Sequence, residues 1–144
     1  MNLITEDNGI YIFKQDEDNF INFCPSRGGI ITKWVKNSEN ILYFDEDRFL
    51  NKSQSIRGGI PILFPICGSL SKRAFFGDNY IDLNQHGFAR DIVWQFAIDS
   101  EQKTLNLSLV SNQLTKKYYP FDFKLKIQLS FGAVSYTHLR AHET

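Results

Sequence analysis

A chain of 144 residues with 42% hydrophobic content and 13 phenylalanines fits one domain and can bury a core of its own. Its 16 basic residues balance its 16 acidic ones, so it carries no electrostatic footprint for nucleic acid or for an anionic membrane surface. No apolar run approaches the roughly 18 residues of a spanning helix, and the start M-N-L-I-T-E-D-N-G is too acidic and broken for a secretory signal. The expected setting is therefore the cytoplasm. Cys24 and Cys67 can in principle pair, but two cysteines make no disulfide framework here; two buried thiols are expected.

Residues 9–14 and 19–24 are short runs rich in Ile, Phe and Tyr around the charged Q-D-E-D segment, a hairpin pattern. After the punctuation P-S-R-G-G, residues 30–35 read as a strand, and K-N-S-E-N turns it into another at 41–44. The acidic stretch Asp45-Glu46-Asp47 reads as solvated loop, with a helical turn near 47–50. Pro61 and Pro65 each remove a ladder donor, so I-P-I-L-F-P-I cannot run as a central strand. Residues 68–84 form a long connection with a short strand at 80–83; such loops are more often functional than idle. Strands are then expected at 92–98 and around Leu105, Leu107 and Leu109. Phe123, Leu125, Ile127, Leu129 and Phe131 alternate with Lys124, Lys126, Gln128 and Ser130, the signature of a half-buried strand. No segment of ten residues has helical periodicity. The class is all-β, and an antiparallel β-sandwich is the favoured architecture.

The last stretch, 134–144, breaks this alternation. V-S-Y-T-H-L-R-A-H-E-T resembles the translation of a transposon-type sequencing adaptor over all eleven residues. Residues 1–133 are accordingly read as the N-terminal part of one domain and 134–144 as a non-native tail. His138 and His142 are therefore not taken as a metal pair, despite their i, i+4 spacing.

Two segments set charged side chains beside glycines: S-I-R-G-G-I-P-I-L-F-P-I-C-G from residue 55, and N-Q-H-G-F-A-R ending at residue 90. Arg57 admits two readings, a salt bridge within its loop or a guanidinium fork on ligand oxygens, with Gly58 and Gly59 letting backbone approach the ligand. His86 is either structural or a hydrogen-bonding partner of a ligand. Gln85, His86 and Arg90 lie within six residues and suit hydroxyls and ring oxygens. Lys72 and Arg73 are surface charges or an attraction for phosphate. Phe75, Phe76 and Phe88 are core or the apolar face for a sugar ring, whereas Trp34 and Trp94 sit in strand patterns and read as core. No nucleotide-binding glycine motif, no metal-spaced Cys/His cluster and no glycosidase-like carboxylate pair occurs.

I-R-G-G-I-P-I-L-F-P followed by Q-H-G-F-A-R resembles the aldose 1-epimerase (galactose mutarotase-like) superfamily, and most closely its branch acting on hexose 6-phosphates. R-G-G-I-I at 27–31, E-N-I-L-Y at 39–43 and Y-P-F-D-F at 119–123 match in order, so the resemblance covers nearly all of residues 3–132. It implies an antiparallel supersandwich, incomplete in this chain because such a domain needs roughly 200–250 residues. An unpaired sheet edge and an open apolar face are expected to follow. It implies interconversion of α and β anomers, with a glutamate base at the C1 hydroxyl and a histidine acid at the ring oxygen, and without cofactor or metal. Carried across, Arg57, Gln85, His86 and Arg90 are substrate-binding, His86 also assisting by polarising the sugar. The acid and base lie downstream, so no catalytic residue is assignable here and the chain by itself is expected to be inactive. The expected partner is a small sugar or sugar phosphate, not nucleic acid or membrane, and oligomeric state is left open. Free aldose and hexose 6-phosphate both fit these residues, and a non-catalytic carbohydrate-binding module of the same fold is the alternative function.

Overall fold

The period-two patterns resolve into two antiparallel sheets packed face to face. The computed structural model describes residues 2–5, 8–70, 74–132 and 138–143. The first sheet runs in chain order through β1 (Asn2–Thr5), β2 (Tyr11–Lys14), β3 (Phe20–Cys24), β4 (Ile30–Lys36) and β5 (Glu39–Asn40). The second is a meander of β8 (Gln95–Asp99), β9 (Thr104–Val110), β10 (Phe123–Ser130) and β11 (His138–Glu143), ordered β11-β10-β9-β8. A separate hairpin, β6 (Ala74–Phe76) with β7 (Asn79–Ile81), lies in the long connection.

Alternation does the packing. On β10, Phe123, Leu125 and Ile127 are buried while Lys124 and Lys126 are exposed. Register then sets Leu125 opposite Leu109 and Ile127 opposite Leu107. These side chains meet Phe13, Ile21, Phe23 and Ile31 of the first sheet in one cluster. Each buried leucine or phenylalanine contributes about 1.5–3 kcal/mol. Ring contacts stitch the two sheets directly: Phe13 to Phe131 at 5.1 Å, and Phe96 to Tyr11 at 4.7 Å and to Phe23 at 5.2 Å between centroids.

The opposite face of the first sheet is covered by a short helix, α1 (Glu46–Leu50), whose Phe49 packs with Ile10, Cys24 and Ile30. Asp45 is not simply solvated loop, since its Oδ1 accepts the Arg48 N–H at 3.0 Å as the N-cap. A second helical turn, α2 (Gln113–Lys116), is absent from the sequence reading. Asn112 and Thr115 close it reciprocally as a capping box.

Three other expectations need correcting. Residues 41–44 do not continue as a strand; pairing there reduces to a bridge between Phe44 and Gly58. The strand expected at 92–98 begins at Gln95, because the Trp94 N–H donates to the Pro25 carbonyl at 2.9 Å and draws that segment out of the ladder. Cys24 is buried as expected, but Cys67 is exposed; both are free. The second sheet, in which β11 pairs with β10 from Phe123↔Glu143 to Gln128↔His138, has β11 and β8 as its edge strands.

Candidate functional site

The first motif threads between backbone segments. The Gly59 N–H donates to the Tyr43 carbonyl at 2.8 Å, Ile60 and Ile31 exchange two hydrogen bonds, and the Arg57 carbonyl accepts the Asp45 N–H at 3.0 Å. Gly58 and Gly59 both have left-handed backbone, with φ of 81° and 70°. A Cβ on Gly58 would lie 2.3 Å from the Tyr43 carbonyl oxygen, and one on Gly59 would lie 2.6 Å from that of Ile31. The glycines thus serve a close approach of protein backbone to protein backbone. Arg57 is exposed on this scaffold, and among the described residues its guanidinium makes no hydrogen bond or ion pair. The salt-bridge reading of Arg57 finds no partner there.

The second motif is fastened to the first. Gly87 bridges Phe64 in parallel, and a Cβ on Gly87 would sit 2.1 Å from the Phe64 carbonyl oxygen. That oxygen instead accepts the Phe88 N–H at 2.9 Å. Phe64, Phe88, Tyr119 and Phe123 form a ring cluster behind the junction, with Phe64 4.9 Å from Phe123 and 5.9 Å from Phe88. Phe88 is therefore core, while Phe75 is exposed on its hairpin and the Phe76 side chain lies outside the described residues. Trp94 is buried, and Trp34 packs partly buried against the core.

His86 stands at φ 68°, a left-handed conformation uncommon for any residue but glycine. It is held there by two bonds to one residue: its N–H donates to the Gly68 carbonyl at 2.7 Å, and its Nδ1 accepts the Gly68 N–H at 2.8 Å. Because Nδ1 is the acceptor, a neutral imidazole carries its proton on Nε2. Among the described residues Nε2–H has no acceptor, which leaves a fixed donor suited to a hydroxyl or ether oxygen.

Arg90 lies on a 3₁₀ turn, Ala89–Asp91, secured on two sides. The Trp94 Nε1–H donates to the Ala89 carbonyl at 2.8 Å. The backbone of Arg90 also rests on Gly28, where a Cβ would fall 2.2 Å from the Arg90 oxygen. The Arg90 Nη2 donates to the Gln85 carbonyl at 3.2 Å, and its Nε lies 3.9 Å from Asp91. Gln85 and Arg90 are thereby joined, with the Gln85 side chain exposed.

A cavity of about 390 Å³ opens beside this turn, a size in the range of small-ligand pockets. Arg90, Asp91, Ile56 and Gly58 line it, and so do Arg27 and Lys52, which the motifs did not single out. Arg57, Gln85 and His86 do not line it. Of the candidate residues only Arg90 thus lines the cavity, while Arg57 is represented there by its neighbours Ile56 and Gly58 and Gln85 is joined to Arg90 by a hydrogen bond. Only R-G-G-I-I at 27–31 hinted at Arg27, and nothing in composition or spacing marks Lys52. Lys72 and Arg73 lie outside the described residues. Among the described residues no group of three or more His, Cys, Asp or Glu side chains is placed to hold a metal, and no helix is long and apolar enough to cross a membrane.

Comparison with known proteins bears on this arrangement. The sequence matches the aldose 1-epimerase family over residues 15–142. A Salmonella typhimurium protein named "Putative glucose-6-phosphate 1-epimerase" is 28% identical over 120 residues, spanning 81% of this chain and 38% of that protein. The crystal structure of the Slr1438 protein from Synechocystis sp. PCC 6803 superposes with a TM-score of 0.78 at 36% identity, covering 92% of this chain and 48% of that one. A galactose mutarotase-like protein from Lactobacillus casei shares the fold at 20% identity, with a TM-score of 0.67 over 87% of this chain and 40% of its own. The chain thus spans less than half the length of each of these proteins. With its antiparallel sandwich and a family match that takes in both motifs, the chain belongs to the aldose 1-epimerase family.

Proposed function

We propose that this chain supplies the substrate-binding wall of a cytoplasmic enzyme that interconverts the α and β anomers of an aldose, with a hexose 6-phosphate as substrate. The observation that supports this reading is the doubly fixed His86, whose Nε2–H is left as a donor next in sequence to Gln85, which Arg90 holds by a hydrogen bond. Anomer exchange requires a proton to leave the C1 hydroxyl and another to reach the ring oxygen, so that the C1–O5 bond opens and recloses on the other face. A fixed N–H donor polarises a sugar oxygen without supplying that proton, while guanidinium groups hold hydroxyl or phosphate oxygens. The proton-transfer pair is assigned to that part of the relatives' length which this chain does not span. Residues 134–144 are assigned to a non-native tail.

Two steps test the reading. Sequencing of the source DNA across codon 132 should show a reading frame that departs from Y-T-H-L-R-A-H-E-T and adds further β-patterned segments with a histidine and a glutamate. The protein of that frame should accelerate α-to-β exchange of glucose 6-phosphate in magnetisation-transfer NMR. A protein of that frame that leaves the exchange at its spontaneous rate would count against an anomer-exchanging enzyme.

A further inference from the structure

We propose that Asn8 is a covalent modification site, at which the chain converts its own asparagine into an aspartyl or isoaspartyl residue through a succinimide. Asn8-Gly9 is the one Asn-Gly dipeptide of the sequence. Asn8 is exposed, and among the described residues neither its side chain nor the Gly9 N–H takes part in a hydrogen bond. Gly9 has no side chain to shield its nitrogen. That nitrogen, losing its proton to solvent base, bonds to the Asn8 Cγ; the Cγ–Nδ2 bond breaks and ammonia leaves with a proton from water. Water then opens the ring at either carbonyl. One product is an aspartyl residue at position 8, and the other is an isoaspartyl residue whose backbone runs through the former side chain. No co-reactant other than water is needed.

The fold, and not the dipeptide alone, singles out this position. Asn37-Ser38 is the nearest rival, with a small residue after the asparagine and left-handed backbone at both, φ 51° and 66°. There the attacking nitrogen is engaged: the Ser38 N–H donates to the Asp18 carbonyl at 2.9 Å, and the Ser38 hydroxyl bonds the Asp18 carboxylate. Ring closure at Asn37 forfeits the first of these bonds. At Asn40, Asn51 and Asn112 the side-chain oxygen is tied up, accepting the backbone N–H of Leu42, Ser53 and Thr115. The product at position 8 bears on β1. Ile10 is buried with Cys24, Ile30 and Phe49, whereas β1 is an edge strand held on one side only, by β2 from Asn2↔Lys14 to Thr5↔Tyr11. An isoaspartyl link adds one atom to the backbone between the two strands, and the anchored Ile10 leaves β1 to take up the change. The new carboxylate also follows Glu6 and Asp7 directly in the chain.

Incubation of the chain at mildly alkaline pH, followed by ion-exchange separation and tandem mass spectrometry, reads the site. The expected product carries one more negative charge than the parent, located at position 8, while position 37 stays an amide until the chain is unfolded in urea. Asn8→Gln, an exposed change whose longer side chain closes the ring far less readily, should lose the product. In the purified isoaspartyl form the amides of β1 should exchange faster than in the parent, and those of β3 and β4 should not. Position 37 reacting as fast as position 8 in the folded chain, or the same yield of charged product from Asn8→Gln, would overturn the site. Exchange of β1 equal to the parent's would overturn its coupling to β1.

Discussion

His86 and Gly68 hold each other at both ends: the histidine N–H donates to the glycine carbonyl at 2.7 Å, and the glycine N–H donates to Nδ1 at 2.8 Å. The ring thus cannot turn without losing its half-buried partner, and the tautomer of the neutral ring is set by geometry. Nitrogen NMR should find neutral His86 protonated on Nε2, with Nδ1 in the range of an unprotonated acceptor. A predominant Nδ1–H signal would contradict the role given to this side chain.

The glycines of the two motifs make a separate prediction about stability. Gly87→Ala places a methyl group 2.1 Å from the Phe64 oxygen on a residue whose φ is 71°. The backbone must move or the contact must break, at a cost of about 2–4 kcal/mol. Gly77, also at positive φ but with open space around it, should lose only about 1 kcal/mol on the same change. Denaturant unfolding of both variants checks the ordering, and equal losses would show that close backbone packing is not what fixes Gly87.

Trp94 joins the two turns that carry Arg27 and Arg90, since its backbone N–H binds Pro25 and its indole N–H binds Ala89. Trp94→Phe keeps most of the buried ring and strands the Ala89 carbonyl. A loss of about 1–3 kcal/mol in stability is expected, the cost of an orphaned buried acceptor. Glucose 6-phosphate affinity should fall alongside it as the Arg90 turn loosens. A variant as stable as the parent would show that the indole bond is not needed to hold the turn.

Asp122 is a carboxyl whose neighbours shift its titration. Hydrogen bonds from Lys116 and Ser111, aided by the Lys116 charge, hold its carboxyl below the ordinary aspartate range. A carboxyl with a lowered folded-state pKa stabilises the fold above the unfolded-state value and loses that contribution as pH falls through the folded one. The group is fully exposed, so the effect on stability is small. Carbon NMR should show Asp122 titrating below a typical aspartate, and moving upward in Lys116→Gln or in high salt.

Most of the sandwich is legible in the sequence because one buried face imposes strict alternation. Phe123 to Phe131 and Leu105 to Leu109 give their strands and their inward residues directly. Where tertiary contacts override the local pattern the reading fails, as at Ile92 and Trp94, whose apolar run serves a clamp onto Pro25 and not the ladder. The capping box at Asn112 is local, but a four-residue helix leaves no periodicity to find. In the candidate site, Arg57, Gln85, His86 and Arg90 stand out in the sequence beside their glycines, while their assignment to substrate binding comes from resemblance. The close backbone contacts at Gly58, Gly59 and Gly87 are invisible without a fold. Arg27 and Lys52 come to the cavity from distant positions, joined to Arg90 only once the turns are packed together.

The most direct test of the binding wall is a titration of glucose 6-phosphate onto the chain and onto Arg57→Ala. Arg57 is exposed, and among the described residues its guanidinium is unpaired, so its removal should leave the fold intact. The account predicts measurable binding to the parent and a loss of about 1–3 kcal/mol in the variant, the usual cost of removing charged hydrogen bonds. A parent chain that binds no sugar phosphate, or an equally tight Arg57→Ala, would contradict it.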